Sequence, residues 1–335
     1  MHLNLSRATV THVLNGRATQ QRISQETQRR VRAAAQELGY RANASARAIR
    51  AGRFGSVALI QSLLGQYLPP ELLYGLMSAM EDQDLHLVLS QVQDRVMEDE
   101  TYLPQTLREL SVDGVLLNRH LGFSQAYLEK VQDLRIPAVS LNVKQDFDAI
   151  HPDDQLGGQL ATEFLLQLGH ERIAFIDSDE PLNNHYSKLD RRKGYEGAMA
   201  SAGKTPRIHL IPKIWHYSEC SDARITSALG LLSSADRPTA IVAYELAEAM
   251  AFVHAAHKIG LSVPEDLSVV LFHNGLDDRY FLPFNTVSNQ MHEVGRGAVA
   301  MLLEKIKNPT VALPTRAVPL ALLEGKTCQP PKRKA

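Results

Sequence analysis

The sequence has only two cysteines in 335 residues, Cys220 and Cys328. They stand far apart and outside any metal-ligand spacing, which excludes a disulfide framework and a thiolate zinc site and fits a reducing compartment. No apolar run is long enough to cross a bilayer, and the N-terminus has no signal-peptide core, so neither membrane nor export is expected and the expected location is cytoplasmic. The thirteen histidines are scattered without metal spacing, and no nucleophile elbow or phosphate-binding loop appears. Gly295-Arg296-Gly297 looks like a piece of a dinucleotide loop, but it lies in a helical pattern, follows no strand and lacks the third glycine. Close helix packing is its expected use. Glu98-Asp99-Glu100 sits where carboxylates favour a helix start. The chain is therefore not expected to be an enzyme, and no cofactor or metal is expected.

What is present is a globular composition, 44% hydrophobic and 22% charged, enough for a large core in two or three domains. The net charge of −1 hides a segregation. Residues 1–53 hold ten of the 36 basic residues, all arginine, and only Glu26 and Glu37 of the 37 acidic ones. The front is at +8 and the remainder at −9. Arginine without lysine points to planar contacts with phosphate or base edges at one end and a different partner for the body. A merely solvated basic face is the alternative.

From Leu5 to Gly16 the sequence predicts a short amphipathic helix. Ser6 is its N-cap, Val10, Val13 and Leu14 form the apolar stripe, and Gly16 closes it in the left-handed conformation. Arg7, Ala8, Thr11 and His12 occupy the other face, as in a helix that reads a major groove. Ser24 caps a second helix ending at Leu38-Gly39, with Val31, Ala34, Ala35 and Leu38 as its stripe. Asn43 to Ala51 carries Ile49 alone between arginines and needs a partner to fold against.

The ordered run Ser-Arg-Ala-Thr-Val-Thr-His-Val-Leu-Asn-Gly, then Ile23-Ser24-x-Glu26-Thr27 and Leu38-Gly39-Tyr40-Arg41-x-Asn43-x-x-Ala46-Arg47, resembles the headpiece and hinge of the lactose-repressor and galactose-repressor family of bacterial transcription regulators. The resemblance implies that Arg7, Ala8 and His12 read bases and that Ser6, Thr9, Thr11 and Asn15 face phosphates. Arg22, Asn43, Ala46, Arg47 and Arg50 complete the implied DNA contacts, and Ile49 is the wedge that opens the central base step. Two features depart from the family. Ala42 replaces a usual proline, and the family's first helix is missing. Leaving the stripe of the reading helix uncovered would cost roughly 1.5–3 kcal/mol per large side chain. A start codon about a dozen residues upstream, enough for one helix, is the expectation.

From Phe54 onward short apolar strands alternate with helical stretches. This pattern implies parallel sheets covered on both faces, in two lobes with a cleft between them. Asp153-Asp154-x-x-Gly157, Leu168-Gly169-His170-x-Arg172, Arg191-x-x-Gly194-Tyr195 and Gly260-Leu261-x-Val263-Pro264-Glu265-Asp266 resemble the family's effector domain, which is similar to periplasmic binding proteins. The expected fold is α/β: an all-α helix-turn-helix headpiece followed by a two-lobed periplasmic-binding-protein-like domain. The expected boundaries are 1–42 for the headpiece, 43–53 for the hinge and 54–325 for the body. Within the body, 54–146 with 278–308 form the first lobe and 147–277 with 309–325 the second. Residues 326–335 are expected to be a disordered basic tail.

The resemblance also implies a cleft site. Tyr67 and Leu68 would stand at its mouth, Asn142 at a strand end, Arg191 as a grip for hydroxyls or a carboxylate, and Tyr217 as an aromatic wall. Rim packing, or for Arg191 an ion pair with Asp190 or Glu196, is the plain alternative. The chain has Glu245 and His273 where relatives carry other acidic and amide groups, so the charge logic of a sugar site is altered. Arg191 and His273 suit a carboxylate or phosphate, with Glu245 free to meet an amine or hydroxyl. A lost effector response is the other possibility. The implied function is a homodimeric regulator, repressor in the first instance, that binds double-stranded operator DNA under control of a small sugar or anionic metabolite. An effector-binding protein without DNA function is the alternative.

Overall fold

In the computed structural model the described residues are 3–14, 16–40, 53–62, 68–92, 107, 112–118, 129–131, 133–179, 185–212, 220–274 and 283–332. The chain divides into two compact units, Met1–Gly55 and Ser56–Ala335.

The first unit contains α1 (Arg7–Leu14) and α2 (Gln25–Glu37). Ser6 Oγ accepts from the Thr9 amide at 3.0 Å, and Ser24 Oγ accepts from the Thr27 amide at 3.3 Å, so each helix starts where a hydroxyl satisfies an orphan N–H. Gly16 at φ 75° and Gly39 at φ 59° follow the two helices in the left-handed region. Val13, Ala18 and Val31 are buried, with Leu3, Leu5, Val10, Leu14 and Ile23 packed around them. Leu3 and Leu5 thus cover part of the stripe that was expected to be exposed. Arg30 Nη2 ties Leu3 down through its carbonyl at 3.2 Å. The hinge segment expected at 43–53 lies outside the described residues up to Gly52.

The second unit holds two six-stranded sheets. The first contains β1 (Ser56–Ser62), β2 (His86–Val92), β3 (Gly114–Asn118), β4 (Ala138–Leu141), β5 (Ala149–Pro152) and a late strand, Arg316–Val318. The second contains β6 (Ile173–Asp179), β7 (Arg207–Pro212), β8 (Ala240–Ala243), β9 (Ser268–His273), β10 (Asn285–Ser288) and the late strand Ala321–Leu323. We number the late strands β11 and β12. The spatial orders are β11-β5-β4-β3-β1-β2 and β12-β10-β9-β8-β6-β7, parallel throughout except where β12 runs against β10. Helix α3 (Pro70–Glu81) covers the first sheet. Helices α4 (Asp154–Gln167), α5 (Tyr186–Ser201), α6 (Cys220–Leu232) and α7 (Leu246–Lys258) belong to the second lobe, and α8 (Met291–Lys307) returns to the first.

The chain passes between lobes three times, but later in the sequence than expected. Ala149–Pro152 is still in the first sheet although 147 was the expected crossing, and Asn285–Ser288 is still in the second although 278 was expected. The last crossing falls between Val318 and Ala321 rather than at 308. These strands escaped the sequence reading because they are short and unlike apolar runs. Asn285, Thr286 and Ser288 are all buried; Thr286 Oγ1 donates to the Phe284 carbonyl at 3.1 Å, whereas the Asn285 side chain is satisfied from far along the chain.

That distant partner is the segment expected to be disordered. The Thr327 amide donates to Asn285 Oδ1 at 3.0 Å, its hydroxyl donates to the Val269 carbonyl at 2.6 Å, and its side chain is fully buried. The Gln329 carbonyl meets the His170 ring at 2.9 Å. Residues 326–332 therefore dock by hydrogen bonds, which an apolar count cannot register.

Two glycine pairs set how closely helices pack. A Cβ on Gly75 would lie 2.1 Å from the His292 carbonyl oxygen, and one on Gly295 would lie 2.6 Å from that of Leu72, so α3 and α8 meet backbone to backbone. Helix packing, as expected, accounts for Gly295. Gly158 and Gly194 do the same for α4 and α5, at 2.0 Å from the Arg191 carbonyl and 2.1 Å from the Gln155 carbonyl. The second contact matters most, because it brings Arg191 alongside the start of α4.

Candidate functional site

A cavity of about 650 Å³ lies between the lobes of the second unit. Its walls are built from strand ends: Asn118 closing β3, Leu141 closing β4 with Asn142 after it, and Pro152 closing β5. From the other lobe come Tyr244 and Glu245 after β8, Phe272, His273 and Asn274 around the end of β9, and Asn289 after β10. In parallel sheets the carboxyl ends of strands leave such a crevice, since the helices that follow turn away from it. Pro69, Leu72, Met291 and Val294 close it from the first lobe, and Leu246, Ala247 and Met250 from the second.

Arg191, 7% exposed, is the best-held side chain of the site. Its Nε donates to Asp154 Oδ1 at 2.6 Å, Nη1 to the Tyr244 carbonyl at 3.1 Å and Nη2 to Asn289 Oδ1 at 3.0 Å. The guanidinium lies 4.2 Å from the Phe272 ring centre and 4.8 Å from that of Tyr244. Burial alone would lower its pKa, but the Asp154 carboxylate together with the neighbouring Tyr244 and Tyr186 side chains outweighs that and the group is raised above its usual value. Asp154 is 1% exposed at the first position of α4, where the helix dipole favours a carboxylate. Neither Asp190 nor Glu196, the partners considered from sequence, pairs with Arg191: Asp190 takes Lys144 and Glu196 takes Arg192.

A second network joins the lobes. His185 Nε2 meets the Asn142 carbonyl at 3.1 Å, and Nδ1 meets Ser187 Oγ at 2.7 Å and the Ser187 amide at 3.4 Å. The tautomer with its proton on Nε2 satisfies all three contacts. Ser187 Oγ also bonds the Tyr244 hydroxyl at 2.8 Å. Burial and nearby carboxylates push the Tyr244 hydroxyl up to about 12 and that of Tyr186 well above its ordinary value, so both stay protonated donors. Asn142 sits at φ 58°, one of the few non-glycine residues in the left-handed region.

Of the residues singled out from sequence, the structure brings Asn142, Arg191, Glu245 and His273 to one cavity. Leu68 packs against the first-lobe core instead, and Leu72 in the first turn of α3 is the leucine that lines the cavity. Tyr67 and Tyr217 lie outside the described residues. Sequence reasoning missed Asp154, His185, Ser187, Tyr244 and Asn289. Only Asp154 carried a signal, in the Asp153-Asp154-x-x-Gly157 motif. The expectation of an anion-accepting cleft also changes, since the charge of Arg191 is already met inside the protein by Asp154.

In the first unit Ser6, Arg7, Ala8, Thr11 and Arg22 are exposed and Thr9 and His12 half-buried, so the face opposite Val13 is open to solvent. Arg22 stands at φ 52° in the turn before α2. Asn15, Asn43, Ala46, Arg47, Ile49 and Arg50 lie outside the described residues. Among the described residues no group of three or more acidic, histidine or cysteine side chains could hold a metal ion, and no helix is long and apolar enough to cross a membrane.

Comparison with known proteins matches residues 4–43 to the bacterial regulatory proteins of the lacI family and residues 162–328 to the periplasmic binding protein-like domain. The chain is 28% identical over 316 residues to the HTH-type transcriptional repressor PurR of Vibrio vulnificus (strain CMCP6), covering 91% of this chain and 89% of that one. A crystal structure of a LacI family transcriptional regulator from Mycobacterium smegmatis superposes with a TM-score of 0.65 at 28% identity, covering 82% of this chain and all of that one. The lac repressor dimer bound to operator and the anti-inducer ONPF shares the fold, with a TM-score of 0.77 at 23% identity over 98% of this chain and 96% of that one.

Proposed function

Because the chain belongs to the lacI family of bacterial regulatory proteins, we propose that it is an operator-binding transcriptional repressor whose affinity for DNA is set by a small molecule held between the lobes of its body. The observation that carries this reading is the joining, in one chain, of a capped two-helix unit with an open arginine-bearing face to a body whose cavity is walled by both lobes. Arg7, Ala8 and His12 would meet base edges, and Ser6, Thr9, Thr11 and Arg22 the phosphates. For Asn15, Asn43, Ala46, Arg47, Ile49 and Arg50 the proposal rests on their family positions alone. Asn142, Arg191, Glu245 and His273 would face the effector. The family consists of regulatory repressors rather than enzymes.

Two copies would present two reading helices to two half-sites. Helix α3 buries Leu72, Leu76 and Met80 yet leaves Tyr74 at 69% and Met77 at 53% exposure, and Leu89 on neighbouring β2 is 47% exposed. That apolar face on the first lobe suits a partner copy. A ligand that alters lobe closure need shift operator affinity by only about 1–3 kcal/mol to act as a switch. The test is fluorescence anisotropy of the full chain with the intergenic DNA flanking its own gene. Tight binding that weakens steadily as salt rises is expected. A chain with no salt-dependent affinity for any such fragment at low ionic strength would refute the repressor reading.

A further inference from the structure

The charges on the second-lobe wall of the cavity do not balance. Of the charged side chains lining it, Arg191 has its own carboxylate in Asp154 at 2.6 Å; outside the lining, Lys188 has Asp177 at 3.3 Å and Lys144 of the first lobe has Asp190. Glu245 is left over. It lines the cavity, half-buried, at the start of α7, and no side chain among the described residues hydrogen-bonds or pairs with it.

A second observation bears on the same point. One turn along α7, Glu248 is fully buried with neither carboxyl oxygen hydrogen-bonded. Its carboxyl is pushed up to about 8, first by burial and then by the negative charge of Glu245, with Asp177 adding to the effect and Arg224 opposing it. Glu248 and Glu245 thus stand one turn apart on the same helix start, two carboxyl groups with no side-chain hydrogen-bond partner among the described residues.

The geometry points to an effector that carries a protonated amine, seated on the Glu245 carboxylate, with its polar body among Asn118, Asn142, Asn274 and Asn289. This rests on the effector-controlled reading above and narrows the ligand that site would take. A carboxylate or phosphate would meet Glu245 as a like charge, and Arg191 offers it little, since three of its five N–H groups are already engaged within the protein. An amine supplies the missing partner and a charge-assisted hydrogen bond.

The test uses the full chain and three probe sets: glucosamine, galactosamine and mannosamine, each against its parent hexose and its uronate, by calorimetry at neutral pH. At least one amine is expected to bind about tenfold or more tighter than both counterparts, the size of one partly buried charge pair. Glu245→Gln should remove that preference while circular dichroism stays unchanged. The proposal is overturned if none of the three amines outperforms its hexose, if the preferred ligand is a uronate, or if the amine preference survives in Glu245→Gln. Binding is read without DNA, so a chain that takes an amine but ignores operator refutes only the repressor reading. One that binds operator and answers only to a hexose or uronate refutes only this one.

Discussion

Replacing Arg191 by methionine would test how the cleft wall is held. Methionine keeps much of the apolar stem, so the cavity wall loses little volume. It removes the hydrogen bonds to Asp154, the Tyr244 carbonyl and Asn289, and the cation that lies against the Phe272 and Tyr244 rings. Asp154, 1% exposed, is left as a buried carboxylate whose Oδ2 is already without a hydrogen-bond partner. Breaking a buried pair from one side costs about 3–5 kcal/mol, mostly the stranded charge. In a body of this size that lowers the melting temperature by on the order of 10 °C. Adding Asp154→Leu should recover most of the loss, because the penalty comes from an unpaired charge and not from missing attraction. Thermal unfolding of the two single variants and the double variant, followed by circular dichroism, checks this. A loss under about 1 kcal/mol for Arg191→Met, or a double variant worse than the sum of the singles, would refute the argument.

Three further outcomes follow from particular contacts. Glu248 holds its proton more tightly folded than unfolded, where a glutamate titrates near 4.5, so its contribution to stability is full below that value, declines as pH rises towards about 8 and is flat beyond. Urea unfolding across this range should show that decline in the parent and not in Glu248→Gln. Gly295→Ala places a methyl 2.6 Å from the Leu72 carbonyl oxygen and should destabilise the first lobe by about 1–3 kcal/mol in thermal denaturation, whereas Gly230→Ala, with open space around it, should not. Burial pushes the Cys328 thiol up to about 12, so peptide mapping after iodoacetamide treatment at pH 8 should find it unmodified in the native chain and alkylated in denaturant.

Local features proved legible in the sequence. Ser6 and Ser24 cap helices because a hydroxyl one turn before an amide satisfies it whatever the rest of the chain does. Gly16 ends its helix because it alone takes φ 75° without strain. The all-apolar runs of β1, β3, β4, β6 and β8 could be read as buried parallel strands, and the motif spacing was sufficient to identify the family. The arginine-rich front and acidic body were likewise plain from composition.

Tertiary structure decided what depends on residues far apart meeting. Asn285–Ser288 is a strand because it pairs with β9 and β12, and residues 326–332 are docked because Thr327 reaches Asn285 and Val269 across some forty to sixty positions. The partner of Arg191 is Asp154, 37 residues away, because two glycines let α4 and α5 touch. That pairing turned an apparently cationic cleft into one with a carboxylate to spare. A sequence records how many charges there are, but which of them cancel depends on distances of a few ångströms that only folding sets.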